Sequence, residues 1–232
     1  MPNSAPPPLR NTLREGLAIG RVLVNPLRFP RKGASVGEGR AVLVIPGLTT
    51  GDISTTLLRR TLQTRGFAPE GWKQGINIGA DPAKMRKLVV RVEELHRQTG
   101  KKVVVIGWSL GGLYARVLGH RAPDCIDMVV TVASPFSGDR HANRAWKLYE
   151  AINDHTVDNP PFAEEMSRKP PVPTVAVWSP IDGVVAPECT RGVDGEADYT
   201  LRVDASHFTL GTSRTAIDQI IETIARVDAE RA

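Results

Sequence analysis

Residues 102–112 read Lys-Val-Val-Val-Ile-Gly-Trp-Ser-Leu-Gly-Gly. The apolar run at 102–106 predicts a strand buried on both faces, and residues 110–121 have the apolar spacing of a helix. Serine stands between them in the pattern G-x-S-x-G, which is the strand–turn–helix setting of a nucleophile elbow. The glycines are needed because side chains at those positions would collide with the neighbouring backbone. The stretch therefore predicts an exposed, reactive hydroxyl on Ser109.

Apolar runs of the same kind recur on both sides of this stretch and alternate with amphipathic helices. Strands that are apolar on both faces are typical of a parallel sheet covered by helices on each side. We therefore expect one α/β domain with a mostly parallel sheet of about six strands. The predicted strands are 41–45, 68–73, 102–106, 128–133, 174–178 and 199–203, and the predicted helices are 52–65, 81–98, 110–121 and 213–228.

The net charge of +5 comes from the N-terminal segment, because residues 1–40 hold seven Lys or Arg and two acids. After a triple proline, apolar residues at i, i+4 spacing predict a basic amphipathic helix over residues 9–24. We expect this helix to pack on the body of the protein, in preference to contact with an anionic membrane surface. Residues 1–40 are thus interpreted as an extension and 41–232 as the domain. The apolar residues of the predicted helix are Leu9, Leu13, Leu17 and Val24.

A serine hydroxyl is a poor nucleophile until a base removes its proton, so a histidine and an orienting acid should accompany Ser109. Asp182 follows the predicted strand 174–178, and His207 follows the last strand. Both lie at the carboxyl ends of strands, where open α/β sheets bind ligands. The chain order Ser, acid, His is also the order of this topology. We therefore predict Ser109, Asp182 and His207 as a catalytic triad.

A tetrahedral intermediate also needs backbone N–H donors aimed at its oxyanion. Leu110 directly follows the predicted nucleophile and is one expected donor. Leu48 lies in the loop after the first strand, behind Pro46-Gly47, and is the second. The alternative is that Pro46-Gly47 is only a turn that ends the strand.

Several classes of protein are excluded or disfavoured by the composition. The two cysteines, Cys125 and Cys189, have no metal-binding or redox spacing, and no metal site is expected. No basic stripe with interleaved aromatics suggests nucleic-acid binding. There is neither a run of about 18 apolar residues nor a secretory signal pattern, so a cytoplasmic location is the expectation.

Over residues 41–228 the chain resembles the α/β-hydrolase superfamily, and in particular its small lipase- or esterase-like members. The resemblance rests on the motifs that hold Pro46-Gly47-Leu48, Ser109, Asp182 and His207, and on Ala133-Ser134-Pro135-Phe136-Ser137-Gly138. That last segment resembles a lipase-type stretch, with Phe136 where those proteins often carry histidine. Residues 71–79 resemble a segment of bacterial members. The N-terminal helix stands where the fold usually has an antiparallel hairpin.

The resemblance implies a cap or lid between the strands that end near Ala133 and begin near Thr174. Residues 139–172 fill that position, and we expect them to form a short helical lid over the substrate; a helix pair that only shields the sheet is the alternative. The residues expected to contact substrate are Trp108, Phe136, Trp146, Tyr149 and Phe208.

The sequence thus favours a serine carboxylic-ester hydrolase that works through an acyl-enzyme and needs no cofactor. Its expected partner is a small-molecule ester with an apolar acyl group. Acyl transfer, lactone opening or amide cleavage would use the same triad and stay open. A non-catalytic binding protein on a hydrolase fold is the alternative of another class.

Overall fold

The computed structural model describes residues 5–23, 25–31 and 33–231, and at its centre six parallel strands form one sheet. The strand order is β2-β1-β3-β4-β5-β6, with β3 and β4 at the centre and β2 and β6 at the edges. The predicted parallel sheet of six strands is therefore confirmed. The strands are β1 Ala41–Ile45, β2 Ala68–Gly71, β3 Val103–Trp108, β4 Ile126–Val132, β5 Thr174–Trp178 and β6 Tyr199–Arg202.

Eight α-helices are present in the described residues and cover both faces of the sheet. Alternate residues of a strand face opposite sides, so β3 contributes Val103 and Val105 to one core and Val104 and Ile106 to the other. Short 3₁₀ turns span Asn25–Leu27 and Asp52–Thr55. The helices are α1 Leu9–Leu23, α2 Thr56–Thr64, α3 Pro82–Thr99, α4 Leu110–Arg121, α5 Trp146–Ala151, α6 Pro187–Arg191, α7 His207–Leu210 and α8 Arg214–Arg231.

Each face of the sheet has its own set of helices. Helices α3 and α4 supply Met85, Leu88 and Leu118 to the core that contains Val103. Helices α2 and α8 supply Leu57 and Ile217 to the opposite core. Since both faces are buried in this way, the strands need apolar residues at every position, which explains the continuous apolar runs in the sequence.

Helix α1 packs against the body of the protein through a face that the apolar pattern did not indicate. Leu9 and Leu13 are exposed, whereas Asn11, Glu15 and Ala18 are buried. The side chain of Leu17 and the whole of Val24 lie outside the described residues. No helix in the described part of the chain is long and apolar enough to cross a lipid bilayer.

The segment 139–172 contains a single short helix, α5, and is otherwise irregular. The C-terminal part of this segment is bound to α4 by the side chain of Arg116, which is fully buried. The Arg116 guanidinium donates to the carbonyl oxygens of Met166 at 2.6 Å and of Ser167 at 3.0 Å, and to two further carbonyls, those of Arg168 and Glu196. Burial lowers the pKa of Arg116 to about 10. The bonds to four carbonyl groups offset this cost of burying a charge.

We predict that Arg116→Met lowers the free energy of unfolding by about 3 kcal/mol, because buried carbonyl groups lose their donor. Chemical denaturation measures this. Arg121→Met is the matched control, since Arg121 lies on the same helix and pairs with Glu164 of the same segment at the surface; we expect it to cost about 1 kcal/mol or less. Equal losses in the two variants would contradict this account of Arg116.

Candidate active site

Ser109 occupies a strained turn between β3 and α4. Its φ of 53° and ψ of −122° lie outside the helical and extended regions, a conformation that costs about 1–3 kcal/mol in a residue with a side chain. The turn is held because the Ser109 N–H donates to the Val132 carbonyl at 2.7 Å. Strain of this kind is what projects a nucleophile out of an elbow.

The glycines around Ser109 are required by close approaches of backbone. A Cβ added at Gly107 would lie 2.2 Å from the carbonyl oxygen of Gly111. A Cβ added at Gly111 would lie 2.3 Å from the carbonyl oxygen of Ile45, at the end of β1. Real Cβ atoms do not approach so closely, so the turn has this form only with glycine at both positions.

Asp182 and His207 come together from the loops that follow β5 and β6. His207 Nδ1 lies 2.8 Å from Asp182 Oδ2, and both side chains are buried. The other oxygen, Asp182 Oδ1, accepts the N–H groups of Val184 and Val185, each at 2.8 Å. The carboxylate is therefore fixed from both sides. It selects the imidazole tautomer with the proton on Nδ1, which leaves Nε2 as the basic nitrogen.

The environment of His207 favours its protonated form. Burial alone would lower the pKa of His207, but the charge of Asp182 and the hydrogen bond to it raise the pKa above its ordinary value of 6.5, and the charge of Glu15 acts in the same direction. A pKa raised by a neighbouring carboxylate is suited to a general base, because the imidazolium formed during proton transfer is stabilised.

The serine hydroxyl is not hydrogen-bonded to this pair. Among the described residues, Ser109 Oγ makes no hydrogen bond, whereas the hydrogen bond between the His207 imidazole and the Asp182 carboxylate is formed. In substrate-free sites the hydrogen bond between nucleophile and base is often long or poorly aligned, and it tightens when substrate is bound.

The two predicted oxyanion donors have free N–H groups. Within the described chain, the backbone N–H of Leu48 and that of Leu110 donate to no protein acceptor. The loop of Leu48 also lies against the serine, since a Cβ at Gly47 would be 3.2 Å from Ser109 Cβ. Two unpaired donors beside a nucleophile are the arrangement that an oxyanion requires.

Asn77, which the sequence did not single out by itself, fixes the loop that carries Leu48. Its buried side-chain NH₂ group donates to the backbone carbonyl of Pro46 at 2.8 Å, and its backbone carbonyl accepts the N–H of Thr49 at 2.7 Å. Asn77 lies in the segment 71–79, so the resemblance of that segment to bacterial hydrolases was the available signal.

A cavity of about 190 Å³ opens beside Ser109. Of the predicted substrate-contacting residues, Phe136, Trp146 and Tyr149 line it, together with both predicted oxyanion residues. Its wall is mainly apolar, as is typical of sites that bind small molecules. Further lining residues are Leu113, Tyr114, Val157, Pro160, Phe162 and Met166.

Trp108 and Phe208, which were also predicted to contact substrate, do not line this cavity. Trp108 is two residues beyond Ile106 in β3. Because side chains alternate along a strand, Ile106 and Trp108 both point into the core on the face of the sheet opposite the cavity. Phe208 packs edge-on against the Trp108 ring, with ring centroids 6.2 Å apart. Both rings also pack against the ring of His207, on the side of the sheet opposite the cavity.

No group of three or more His, Cys, Asp or Glu side chains in the described residues is arranged to hold a metal ion. The remaining histidines have local partners: the ring of His155 bonds the Tyr149 hydroxyl at 2.7 Å, and His120 Nε2 lies 3.1 Å from the Arg168 carbonyl.

Comparison with known proteins gives matches at the level of structure. No protein-family model matches the chain, and no curated protein matches it significantly. An α/β superfamily hydrolase from Oenococcus oeni is similar with a TM-score of 0.60 and 13% identity, over 82% of this chain and 92% of that one.

Two further similar structures carry enzymatic names. A monoacylglycerol lipase from Paleococcus ferrophilus has a TM-score of 0.58 and 15% identity, over 86% of this chain and 97% of that one. The carboxylesterase CesB from Bacillus subtilis has a TM-score of 0.56 and 12% identity, over 92% and 98%. At these identities the comparison shows a shared fold.

Proposed function

The chain has the α/β-hydrolase fold, and on that premise we propose that it is a serine hydrolase of small carboxylic esters, with Ser109 as the nucleophile. The observation that carries this proposal is the strained Ser109 turn, which lies beside two unpaired N–H groups and an apolar cavity. No structural role explains strain and free donors at the same point.

In the proposed reaction, Ser109 Oγ attacks the ester carbonyl while His207 Nε2 takes the hydroxyl proton. Asp182 holds the imidazole through Nδ1 and stabilises the imidazolium. The N–H groups of Leu48 and Leu110 bind the oxyanion of the tetrahedral intermediate. His207 then returns the proton to the leaving alcohol. A water molecule then attacks the acyl-enzyme while His207 takes its proton. The acid is released as His207 returns that proton to Ser109 Oγ.

The proposed substrate carries a short acyl chain. The cavity of about 190 Å³ lies below the roughly 300–1,000 Å³ of pockets that enclose drug-sized ligands. Trp146 and Tyr149, from α5 in the segment 139–172, supply part of its wall. We therefore propose that this segment acts as a cap that limits acyl length.

A cytoplasmic location is part of the proposal. Cys125 and Cys189 form no disulfide in the described chain, as is usual in a reducing compartment.

We predict that Ser109→Ala lowers kcat for p-nitrophenyl acetate and butyrate at least about 10³-fold, because the nucleophile is lost. Spectrophotometric turnover measures this. Ser35→Ala is the control, since Ser35 is exposed and away from the cavity; its activity should equal that of the wild type. Equal turnover by Ser109→Ala would end the proposal and favour a non-catalytic binding protein. Strong preference for lactones, amides or acyl acceptors would keep the triad but change the reaction.

We also predict that Trp146→Ala extends the range of acyl lengths. Removing an indole from the cavity wall should raise kcat/KM for p-nitrophenyl laurate relative to butyrate about tenfold, since space for a few methylene groups contributes about this much. Leu148→Ala is the matched control, because Leu148 lies on the same helix and is exposed. An unchanged laurate-to-butyrate ratio in Trp146→Ala would contradict the role of this segment as a cap.

A further inference from the structure

The N-terminal helix reaches the loops of Asp182 and His207 through one buried carboxylate. Glu15 of α1 is 3% exposed. It is also the one acidic residue in the basic sequence of residues 9–24. A carboxylate is rarely buried to this extent unless it is paired or fully hydrogen-bonded. Its partners are therefore informative.

Those partners are backbone N–H groups of the two catalytic loops. Glu15 Oε1 accepts the N–H of Gly183 at 2.9 Å and the N–H of His207 at 2.6 Å, while Oε2 accepts the N–H of Phe208 at 3.2 Å. Gly183 directly follows Asp182. One oxygen atom thus bridges the backbone of the loop after β5 and the backbone at the start of α7, the helix that follows β6.

Two additional contacts hold α1 against the Asp182 loop. The Thr12 hydroxyl donates to the Gly183 carbonyl at 2.9 Å. A Cβ added at Gly183 would lie 2.4 Å from the carbonyl oxygen of Asn11 and 2.7 Å from Glu15 Cγ, so the loop and the helix are in direct contact. The polar side of α1 is buried because it serves this contact.

We propose that Glu15 is a positioning residue of the active site, which fixes the spacing of the Asp182 and His207 loops and supplies a second negative charge to the imidazole. This inference rests on the proposed function. The hydrogen bond of 2.8 Å between His207 Nδ1 and Asp182 Oδ2 forms only if the segments that follow β5 and β6 stay at a constant separation. Glu15 sets that distance at the backbone, and hence α1 is a part of the site.

Replacing Glu15 by glutamine tests the proposal with little change of shape. Glutamine has one acceptor oxygen, and its NH₂ group would face at least one backbone N–H donor. We expect Glu15→Gln to lower kcat for p-nitrophenyl butyrate about 10- to 100-fold, as loss of loop alignment does, with KM changed less than about threefold. Glu38→Gln is the control, because it removes the same charge from an exposed position of the same N-terminal segment.

The pH dependence separates positioning from general destabilisation. Asp182 and Glu15 are the charged groups that act on His207 in the described residues, and both raise its pKa against the effect of burial. A base works when deprotonated, so kcat/KM should rise with pH through the pKa of His207. Glu15→Gln removes one of the two charges. The pKa of His207, followed by NMR titration, should therefore fall, and the rising limb should move to lower pH. Glu38→Gln should leave both unchanged.

A measurement on the wild type keeps the inference testable even where Glu15→Gln does not fold. The Gly183 and His207 amides should exchange with solvent at least about 10³-fold more slowly than free amides, because Glu15 accepts both. Free exchange of these amides, or an unshifted His207 pKa with unchanged kcat in Glu15→Gln, would overturn the positioning role. Neither NMR readout needs turnover, so they judge Glu15 even if Ser109→Ala shows that the ester hydrolase proposal is wrong.

Discussion

The close approach of the turn 107–111 to the end of β1 is the constraint on which the rest of the site depends. The Gly111 backbone lies against the Ile45 carbonyl, and Gly107 lies against Gly111, with no room for a side chain at either glycine. This contact fixes where α4 begins and forces Ser109 into a strained conformation with positive φ. The same approach brings Gly47 against Ser109. As a result, the unpaired N–H groups of Leu48 and Leu110 both lie beside the serine side chain.

In a second group of contacts, backbone N–H groups donate hydrogen bonds to the buried carboxylates of Asp182 and Glu15. Asp182 is fixed by two N–H groups of its own loop, and Glu15 accepts three N–H groups from the segments that hold Asp182 and His207. Hydrogen bonds from backbone donors to carboxylates are strong and geometrically restrictive when buried. Helix α1 therefore contributes polar contacts to the site.

The strands, the elbow and the pairing of Asp182 with His207 were accessible from the sequence because each depends on local pattern or on chain order. Glu15 was not, because its partners lie more than 160 residues away and are backbone groups without a sequence signature. The partners of Arg116 are also backbone groups without a sequence signature, 50 to 80 residues away. Trp108 is different: counting alternate residues from Val104 along β3 would have assigned it to the core opposite the cavity. The exposed Leu9 and Leu13 show that an apolar stripe does not identify the docking face when a buried carboxylate competes for it.

The most direct test of the account is the site at which a fluorophosphonate reacts, since this reagent requires an activated hydroxyl. Peptide mass spectrometry after treatment of the wild type should find one adduct per chain, on Ser109. His207→Ala should acquire the same adduct at least about 100-fold more slowly, because its serine lacks the base. An unlabelled Ser109, or labelling at the same rate in His207→Ala, would contradict the claim that these residues act together.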